Sequence, residues 1–441
     1  MRESQHPEIT QLFSGRTLRA GRLARKRSAE VEAIDHLTRG LDMVESLPDV
    51  EWRREQELEL QITLAQAFHA KMGYGAKETA AAFARTYELI EQTGDPRQQF
   101  MVCYGLYSTY FFHGEHEKGL EFASESLSIA ESLGDVHLLC VAHKNMAVML
   151  NAMGRFEPAQ SHADEALALY QPQTHGFLAI EYGHDVGVAA MAHRAFALWH
   201  LGYPDQAAQD VDRALRLASS FERANTVTYS HFFPGAVAAA FARDMGALEQ
   251  HASRLVQLSE EHGFPQWGAL GAVMLGPPMT ARGNAEEAIG QMQRGFALCR
   301  SAGAEICRPI FLGFLAEAES AAGRIDAALK IIGDALTLTD DTKERWHEPE
   351  LWRLKGVFLI SHKEESQAEA CFCRAIEIAR SQSAKLPELR VTTDLARLWW
   401  DQGKPAKARE LLAPVYIWFT EGYDTSDLKD AKLLLDELAS E

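Results

Sequence analysis

The chain has 441 residues, of which 46% are hydrophobic and 24% are charged, as is typical of globular proteins and long repeat arrays. Its formal net charge of −18 argues against a general nucleic-acid binder, because binding to phosphates requires clustered positive charge. No segment approaches the roughly 18 consecutive apolar residues of a membrane span, and the first residues lack the apolar core of a signal peptide, so we expect a cytoplasmic protein without membrane contact.

The chain begins with a polar, mixed stretch over residues 1–13, for which we predict a flexible lead-in. A first pair of amphipathic helices follows from Ser14. Its first helix carries a run of basic residues without any acid between Arg16 and Arg27. A solvated helix face is the simplest interpretation of this run, and docking onto an acidic neighbouring domain is the alternative.

Turn signals recur along the chain at an interval of about 40 residues. On both sides of each turn, apolar residues are spaced by three and four, which indicates two amphipathic helices per unit. Five turns carry the pattern Gly-x-x-x-x-Ala, as in Gly323 and Ala328, and small residues such as Ala335 let the two helices approach closely. The turns lie at Gly73–Gly75, Gly114, Gly154, Gly202, near Asp244, and at Gly283, Gly323, Lys363 and Gly403.

This periodicity predicts an all-α fold, a right-handed α-solenoid of about ten helix pairs over residues 14–424. An amphipathic segment near the C-terminus predicts a capping helix over residues 425–441, which covers the last face of the array. The sequence Gly276-Pro277-Pro278 interrupts a predicted helix, which must kink or end there.

The longest insertion between units covers residues 171–187 and is rich in Gly, His and polar residues. His175, His184 and Asp185 are the only cluster in the chain that we retain as a candidate for metal binding or acid–base chemistry, with ordinary surface or core residues as the alternative.

The sequence lacks the common motifs of nucleotide and zinc enzymes. Gly403-Lys404 is followed by Pro405 and does not form a phosphate-binding loop, and no His-Glu-x-x-His motif occurs. A Ser/His/Asp triad is recognised by geometry rather than by sequence. We therefore expect a non-enzymatic protein and assign no catalytic, cofactor-binding or metal-binding residue.

The repeat unit resembles the tetratricopeptide repeat, with lengthened helices. Several local motifs, among them LWHLGYPD at 198–205 and WFTEGYD at 418–424, resemble the C-terminal tetratricopeptide region of bacterial multidomain class III adenylate or guanylate cyclases and predicted signalling ATPases. The resemblance covers roughly residues 16–438. It implies a bacterial signalling role and a partner such as a cyclase or ATPase domain. This sequence contains neither of those domains, so no catalytic residue is carried over.

Two hypotheses for the function follow. The first is a regulatory scaffold that binds a peptide or partner domain on its concave face, which the first helix of each pair lines. Alignment of the turns places seven side chains on that face: Lys144, Asn145, Asn151, His193, Arg353, Asp394 and Arg397. Lys144 and Asn145 resemble the Lys/Asn pairs with which some tetratricopeptide proteins hold a peptide carboxylate, and a solvated groove without a partner is the alternative.

The second hypothesis is a small-molecule sensor that controls a cyclase or signalling ATPase, with the 171–187 insertion forming the pocket. An enzyme would rest only on His175, His184 and Asp185.

Overall fold

The computed structural model describes residues 7–27, 29–45, 51–90, 95–221 and 223–440. Every regular element in these ranges is a helix, and no strand occurs in them. The helices form ten successive pairs followed by a single helix, which confirms the predicted all-α solenoid. None of the described helices is long and apolar enough to cross a membrane.

The first five pairs are regular, with a two-helix insertion before the fifth. They comprise α1 (Pro7–Lys26) with α2 (Glu30–Glu45), α3 (Glu51–Met72) with α4 (Lys77–Ile90), α5 (Pro96–Phe112) with α6 (His116–Leu133), α7 (Val136–Ala152) with α8 (Phe156–Leu169), and α11 (Val186–Leu201) with α12 (Pro204–Ser219). The insertion contains the short helices α9 (Pro172–His175) and α10 (Leu178–Glu181).

The first helices of the sixth and seventh pairs are interrupted. In the sixth pair, the first helix consists of α13 (Ala224–Ser230), a π-helical segment (His231–Val237) and α14 (Ala238–Phe241), and the second is α15 (Met245–His262). In the seventh pair, the first helix consists of α16 (Pro265–Met274) and α17 (Gly276–Ala281), and the second is α18 (Ala285–Ala302). The predicted break at Gly276-Pro277-Pro278 is therefore confirmed. A proline also lies inside the π-helical segment, at Pro234. Proline removes a backbone donor and clashes with the preceding turn, which accounts for both irregularities.

The last three pairs are regular again. They are α19 (Arg308–Ala321) with α20 (Ile325–Thr342), α21 (Glu348–Ser361) with α22 (Glu365–Ser381), and α23 (Lys385–Asp401) with α24 (Pro405–Ile417). The final helix, α25 (Ser426–Leu438), packs against α23 and α24 through Leu428, Ala431, Leu434 and Leu438. It begins one residue after the start that the sequence predicts for the capping helix.

The turns inside the pairs from the second pair onward share a residue with positive φ. Gly323 has φ +80°, in the left-handed region that glycine adopts without strain. The turns at Arg243 and Lys363 lack glycine and keep this conformation, with φ +59° and +63°. The side chain of Asp244 then caps α15 by accepting a hydrogen bond from the backbone N–H of Ala247. The degenerate turns of the sequence are thus turns of the same kind.

The solenoid coils back on itself, so that units about five pairs apart touch. The backbone N–H of Glu305 donates to the carbonyl of Phe112, and the N–H of Arg345 donates to the carbonyl of Ala152, both at 2.8 Å. Gly75 and Gly303 approach so closely that a Cβ on either would lie 1.9 Å from the carbonyl oxygen of the other. These contacts fix the pitch of the superhelix and place the first helices on its inner side.

The N-terminal boundary differs from the prediction. Helix α1 begins at Pro7, inside the predicted lead-in of residues 1–13, while residues 1–6 lie outside the described residues. The basic run on α1 is partly paired: Arg22 lies 3.5 Å from a carboxylate oxygen of Glu59, and Arg25 donates to Gln66 at 2.6 Å.

Candidate functional site

A cavity of about 360 Å³ lies on the inner side of the C-terminal half of the solenoid, and we call it the C-terminal cavity. Its lining residues come from α11, α14, α15, α17, α19, α21, α23 and α25, with the connections that precede α15 and α21. It therefore spans one turn of the superhelix, from the fifth pair to the capping helix.

Helical spacing explains which side chains reach the cavity. Helix α19 presents Ile310, Phe314 and Glu317, and α23 presents Arg390, Asp394 and Arg397. In both sets the steps are of three or four residues, so that each set lies along one helix face.

One wall of the cavity is aromatic. The rings of Trp199 and Phe241 stack with centroids 4.8 Å apart, and the ring of Trp346 lies 5.5 Å from that of Phe241 at a steep angle. Phe241 and Trp346 are buried, whereas Trp199 is half-buried. These large faces offer a ligand apolar and cation–π contacts.

The first charged network in the cavity centres on Arg353. Its guanidinium donates two hydrogen bonds to Glu350, at 2.6 and 2.9 Å, and one to Asp394 at 2.7 Å. Burial alone would raise the pKa of Glu350, but the positive charges of Arg353 and Arg390 outweigh it and hold that pKa well below its ordinary value. The carboxylate of Glu350 is therefore fully ionised at neutral pH.

The second network centres on Arg390. It donates two hydrogen bonds to Asp427 of the capping helix, at 2.9 and 2.7 Å, and one to the carbonyl of Phe241 at 3.1 Å. Its guanidinium also lies 5.5 Å from the ring centroid of Trp199. Arg243 joins this network through Asp427, at 3.5 Å, and also donates to Asp430 at 2.8 Å. The capping helix thus completes the cavity.

Three charged or titratable side chains that line the cavity make no hydrogen bond or ion pair at all in the part of the chain that the structure describes: Glu317, His347 and Arg397. Burial raises the pKa of Glu317 to about 7, although Arg353 acts in the opposite direction. Burial lowers the pKa of His347 to about 3, so its imidazole is neutral at physiological pH. Arg397 is exposed at the rim.

The structure brings together only some of the residues predicted for the concave face. Arg353, Asp394 and Arg397 all line the C-terminal cavity. The other four, Lys144, Asn145, Asn151 and His193, are at most 3% exposed in the N-terminal half. The prediction of one open groove is corrected accordingly: the inner face is filled around these four side chains.

The environment of Lys144 is aromatic and lacks a carboxylate partner within the described ranges. Its ammonium lies 5.2 Å from the ring centroid of Tyr104 and 5.5 Å from that of Tyr107. Burial lowers the pKa of Lys144 to about 7. Nearby on the inner side, the side-chain amide of Asn151 donates to the carbonyl of His193 at 2.8 Å. These groups are fixed by the fold and have no room for a peptide.

The 171–187 insertion is what fills the N-terminal inner face. Its backbone carbonyls accept hydrogen bonds from three first helices that lie far apart in sequence. Tyr104 donates to the carbonyl of Tyr182 at 2.6 Å, and Asn225 donates to that of Gly183 at 2.6 Å. Arg25 donates to the carbonyl of Ile180 at 3.2 Å. The insertion is therefore an internal brace and does not form an open pocket.

The residues of the predicted insertion cluster do not act together. His184 bonds to the Tyr74 hydroxyl at 2.8 Å and stacks on Tyr229. Asp185 caps α11 by accepting from the N–H of Val188, and His175 accepts from the N–H of Gln171 at 3.3 Å. Each side chain has its own structural contact. No group of three or more His, Cys, Asp or Glu side chains arranged for a metal ion occurs among the described residues.

Several cavity residues were missed by the sequence analysis. Glu350 and Arg390 lie one helical turn from the predicted Arg353 and Asp394, so an extension of the same face could have found them. Glu317 lies on the face of α19 that lines the cavity. Asp427 carried no signal, because its role depends on how the capping helix folds back.

Comparison with known proteins agrees with this fold. The family model described as "Tetratricopeptide repeat" matches residues 188–213 and 389–414, which correspond to the pairs α11–α12 and α23–α24. This chain contains tetratricopeptide repeats. An uncharacterized protein of Rhizobium meliloti (strain 1021) is 24% identical over 374 residues, which are 83% of this chain and 36% of that protein. The chain thus spans about a third of the length of this relative.

Solved structures with the same fold include regulators and assembly subunits. A Rap protein complexed with Competence and Sporulation Factor superposes with a TM-score of 0.62 at 13% identity and covers 84% of this chain and 98% of its own. The Rap conjugation gene regulator of plasmid pLS20, in complex with the Phr* peptide, has a TM-score of 0.51 at 13% identity. The match covers 85% of this chain and 97% of the regulator. A chain of the APC/C hetero-tetramer Cut9-Hcn1 also has a TM-score of 0.51 at 13% identity. That match covers 95% of this chain and 74% of the other. At this identity the likeness concerns the fold.

Proposed function

We propose that this tetratricopeptide-repeat chain is a regulatory binding scaffold of a bacterial signalling system, and that it holds a peptide segment of a partner in the C-terminal cavity. The cavity carries this proposal, because it combines an aromatic wall with polar groups that have no partner among the described residues. At about 360 Å³, it has the volume of a site for one or two side chains or a small ligand.

The remainder of the inner face supports this location. The N-terminal half is braced by the 171–187 insertion, which occupies the space where a ligand would lie. The Rap complexes with Competence and Sporulation Factor and with the Phr* peptide lend support by analogy of fold. The resemblance to cyclase-linked and ATPase-linked repeat regions makes such a domain a candidate source of the peptide segment.

The second candidate function is a small-molecule sensor region that controls a cyclase or signalling ATPase. The cavity volume favours it as well, since it lies within the range that small-molecule sites have in proteins. The cavity, rather than the 171–187 insertion, would supply the binding site.

A peptide selection with a filled cavity tests the proposal. Ala240 lines the cavity, so that Ala240→Trp places an indole in it, whereas Ala242→Trp adds the same group at an exposed position two residues away. A phage-displayed library of random dodecapeptides is selected against the intact chain and both variants. We expect enriched peptides that bind the intact chain and Ala242→Trp but not Ala240→Trp.

Two outcomes would contradict the proposal. Peptides that bind Ala240→Trp as well as the intact chain would locate peptide binding outside the cavity. A selection without enrichment, combined with a saturable thermal shift by a metabolite that Ala240→Trp abolishes, would establish the sensor instead.

A further inference from the structure

The charged side chains around the C-terminal cavity are unevenly matched. Arg353 is paired with Glu350 and Asp394, Arg390 with Asp427, and Arg243 with Asp430. Five carboxylates line the cavity against four guanidinium groups, and Arg397, the fourth of these, is at the rim. Within the described ranges, Glu317 is the lining carboxylate that makes no ion pair.

The cations around Glu317 are engaged with other carboxylates. Arg353, Arg390 and Arg243 influence its ionisation only through space, and each already has a carboxylate of its own. His347 is neutral and therefore adds no positive charge. Glu317 is half-buried, and a partly desolvated carboxylate without a partner gains free energy when a cation arrives.

The surrounding walls suit the stem of a long cationic side chain. Phe314 lies one helical turn before Glu317 on α19, and the indole of Trp346 and the ring of Phe241 also face the cavity. Methylene groups pack well on such surfaces, while an ammonium or guanidinium group gains cation–π contacts. The same chemistry already occurs at the edge of the cavity, where Arg390 lies over the indole of Trp199.

We propose that the C-terminal cavity binds a lysine or arginine side chain of the partner peptide, with its charged end paired to Glu317 and its stem against the aromatic wall. This inference rests on the proposed peptide-binding function and specifies its ligand. An acidic side chain is excluded from the same position by Glu317 and by the excess of carboxylates.

Cation binding at Glu317 is coupled to a proton. The carboxylate form binds the cation, so affinity increases as the pH rises through the pKa of about 7. The other charged and titratable groups that line the cavity come from the elements around Glu317, and they are His200, Arg243, His347, Glu350, Arg353, Arg390, Asp394, Arg397, Asp427 and Asp430. None of those with a resolved shift has a pKa near 7.

Benzamidine, which is a planar cation over this pH range, is a direct probe, with neutral benzamide and anionic benzoate as matched controls. We expect benzamidine to bind and the two controls not to bind. The affinity for benzamidine should be about tenfold higher at pH 8 than at pH 6, because the ionised fraction of a carboxyl group with a pKa near 7 changes by that ratio. Ligand-observed NMR titrations measure the three dissociation constants. Glu317→Gln should weaken benzamidine binding at pH 8 at least tenfold and abolish its pH dependence, whereas Glu319→Gln, on the same helix but paired with Arg324, should change neither.

The peptide selection separates this inference from the proposed function. Enriched peptides rich in Lys or Arg that lose binding to Glu317→Gln would support both. Peptides that bind through the cavity without a basic residue, together with equal binding of benzamidine and benzamide, would overturn the inference and leave the proposed function intact. Benzamidine binding that depends on Glu317 in the absence of any selected peptide would overturn the peptide function and retain the cation site.

Discussion

Lys144 is the buried group whose contribution to stability is most open to measurement. Its side chain is 1% exposed, and its ammonium contacts two tyrosine rings. Burial lowers its pKa from 10.5 to about 7. Because one pKa unit corresponds to about 1.4 kcal/mol, the protonated form costs the folded state about 5 kcal/mol.

The sign of the pH dependence follows from the two states. The unfolded chain keeps the Lys144 proton up to about pH 10.4, whereas the folded chain releases it above about pH 7. Between these values the unfolded state binds more protons, so the stability of the folded state rises with pH. The cost is fully present below pH 7 and disappears as the pH approaches 10.4.

Lys144→Met replaces the ammonium with an apolar group of similar length and should therefore stabilise the fold. At pH 7 we expect a gain of about 3 kcal/mol, after the lost cation–π contacts are subtracted. The gain should be largest at pH 6 and should shrink by about 4 kcal/mol by pH 10, because the pH then approaches the pKa that the lysine has in the unfolded chain, and its deprotonation in the folded state costs little.

Equilibrium urea unfolding at pH 6, 7, 8, 9 and 10, followed by circular dichroism and by tryptophan fluorescence, measures this difference. Subtraction of the variant from the wild type removes every other titrating group. Lys330→Met, at a side chain that is 78% exposed, is the matched control and should give a small, constant difference. A Lys144→Met difference that stays the same from pH 6 to pH 10 would refute the reasoning.

Three further substitutions test the packing and the charged network. Glu350→Gln leaves the half-buried Arg353 with one carboxylate fewer and should cost about 3 kcal/mol at pH 7 in urea unfolding. Since the pKa of Glu350 is depressed in the folded state, this loss of stability should be seen above about pH 4.3 and should fade as the pH falls below that value. A loss that persists at acid pH would contradict the ion pair of Glu350 with Arg353. Gly75→Ala should lower stability by about 1–3 kcal/mol, because its methyl group would meet the carbonyl of Gly303 and separate two turns of the superhelix. Gly333→Ala, on α20 with no atom within 4 Å of the new methyl group, should instead raise stability by about 1 kcal/mol, so that equal effects of the two alanines would rule out the close inter-turn contact.

The sequence determined the local architecture of this protein. Turn residues at an interval of about 40, with apolar residues at helical spacing on both sides, predicted the helix pairs, the break at Gly276-Pro277-Pro278 and the capping helix. These features follow from short-range physics, namely the backbone freedom of glycine, the restriction by proline and the period of the helix. For the same reason, the face of α23 that carries Asp394 and Arg397 was predictable.

Only the tertiary structure decided which parts of the inner face are open. The pitch of the superhelix depends on contacts between units about five pairs apart, such as that of Gly75 with Gly303, and no local pattern encodes them. The 171–187 insertion has an irregular sequence, so its course through the N-terminal half was not predictable. The burial of Lys144 and His193 depends on that course and was therefore not predictable either. The cavity in the C-terminal half exists because the capping helix folds back and places Asp427 against Arg390, a pairing across 37 residues that depends on the packing of the complete chain.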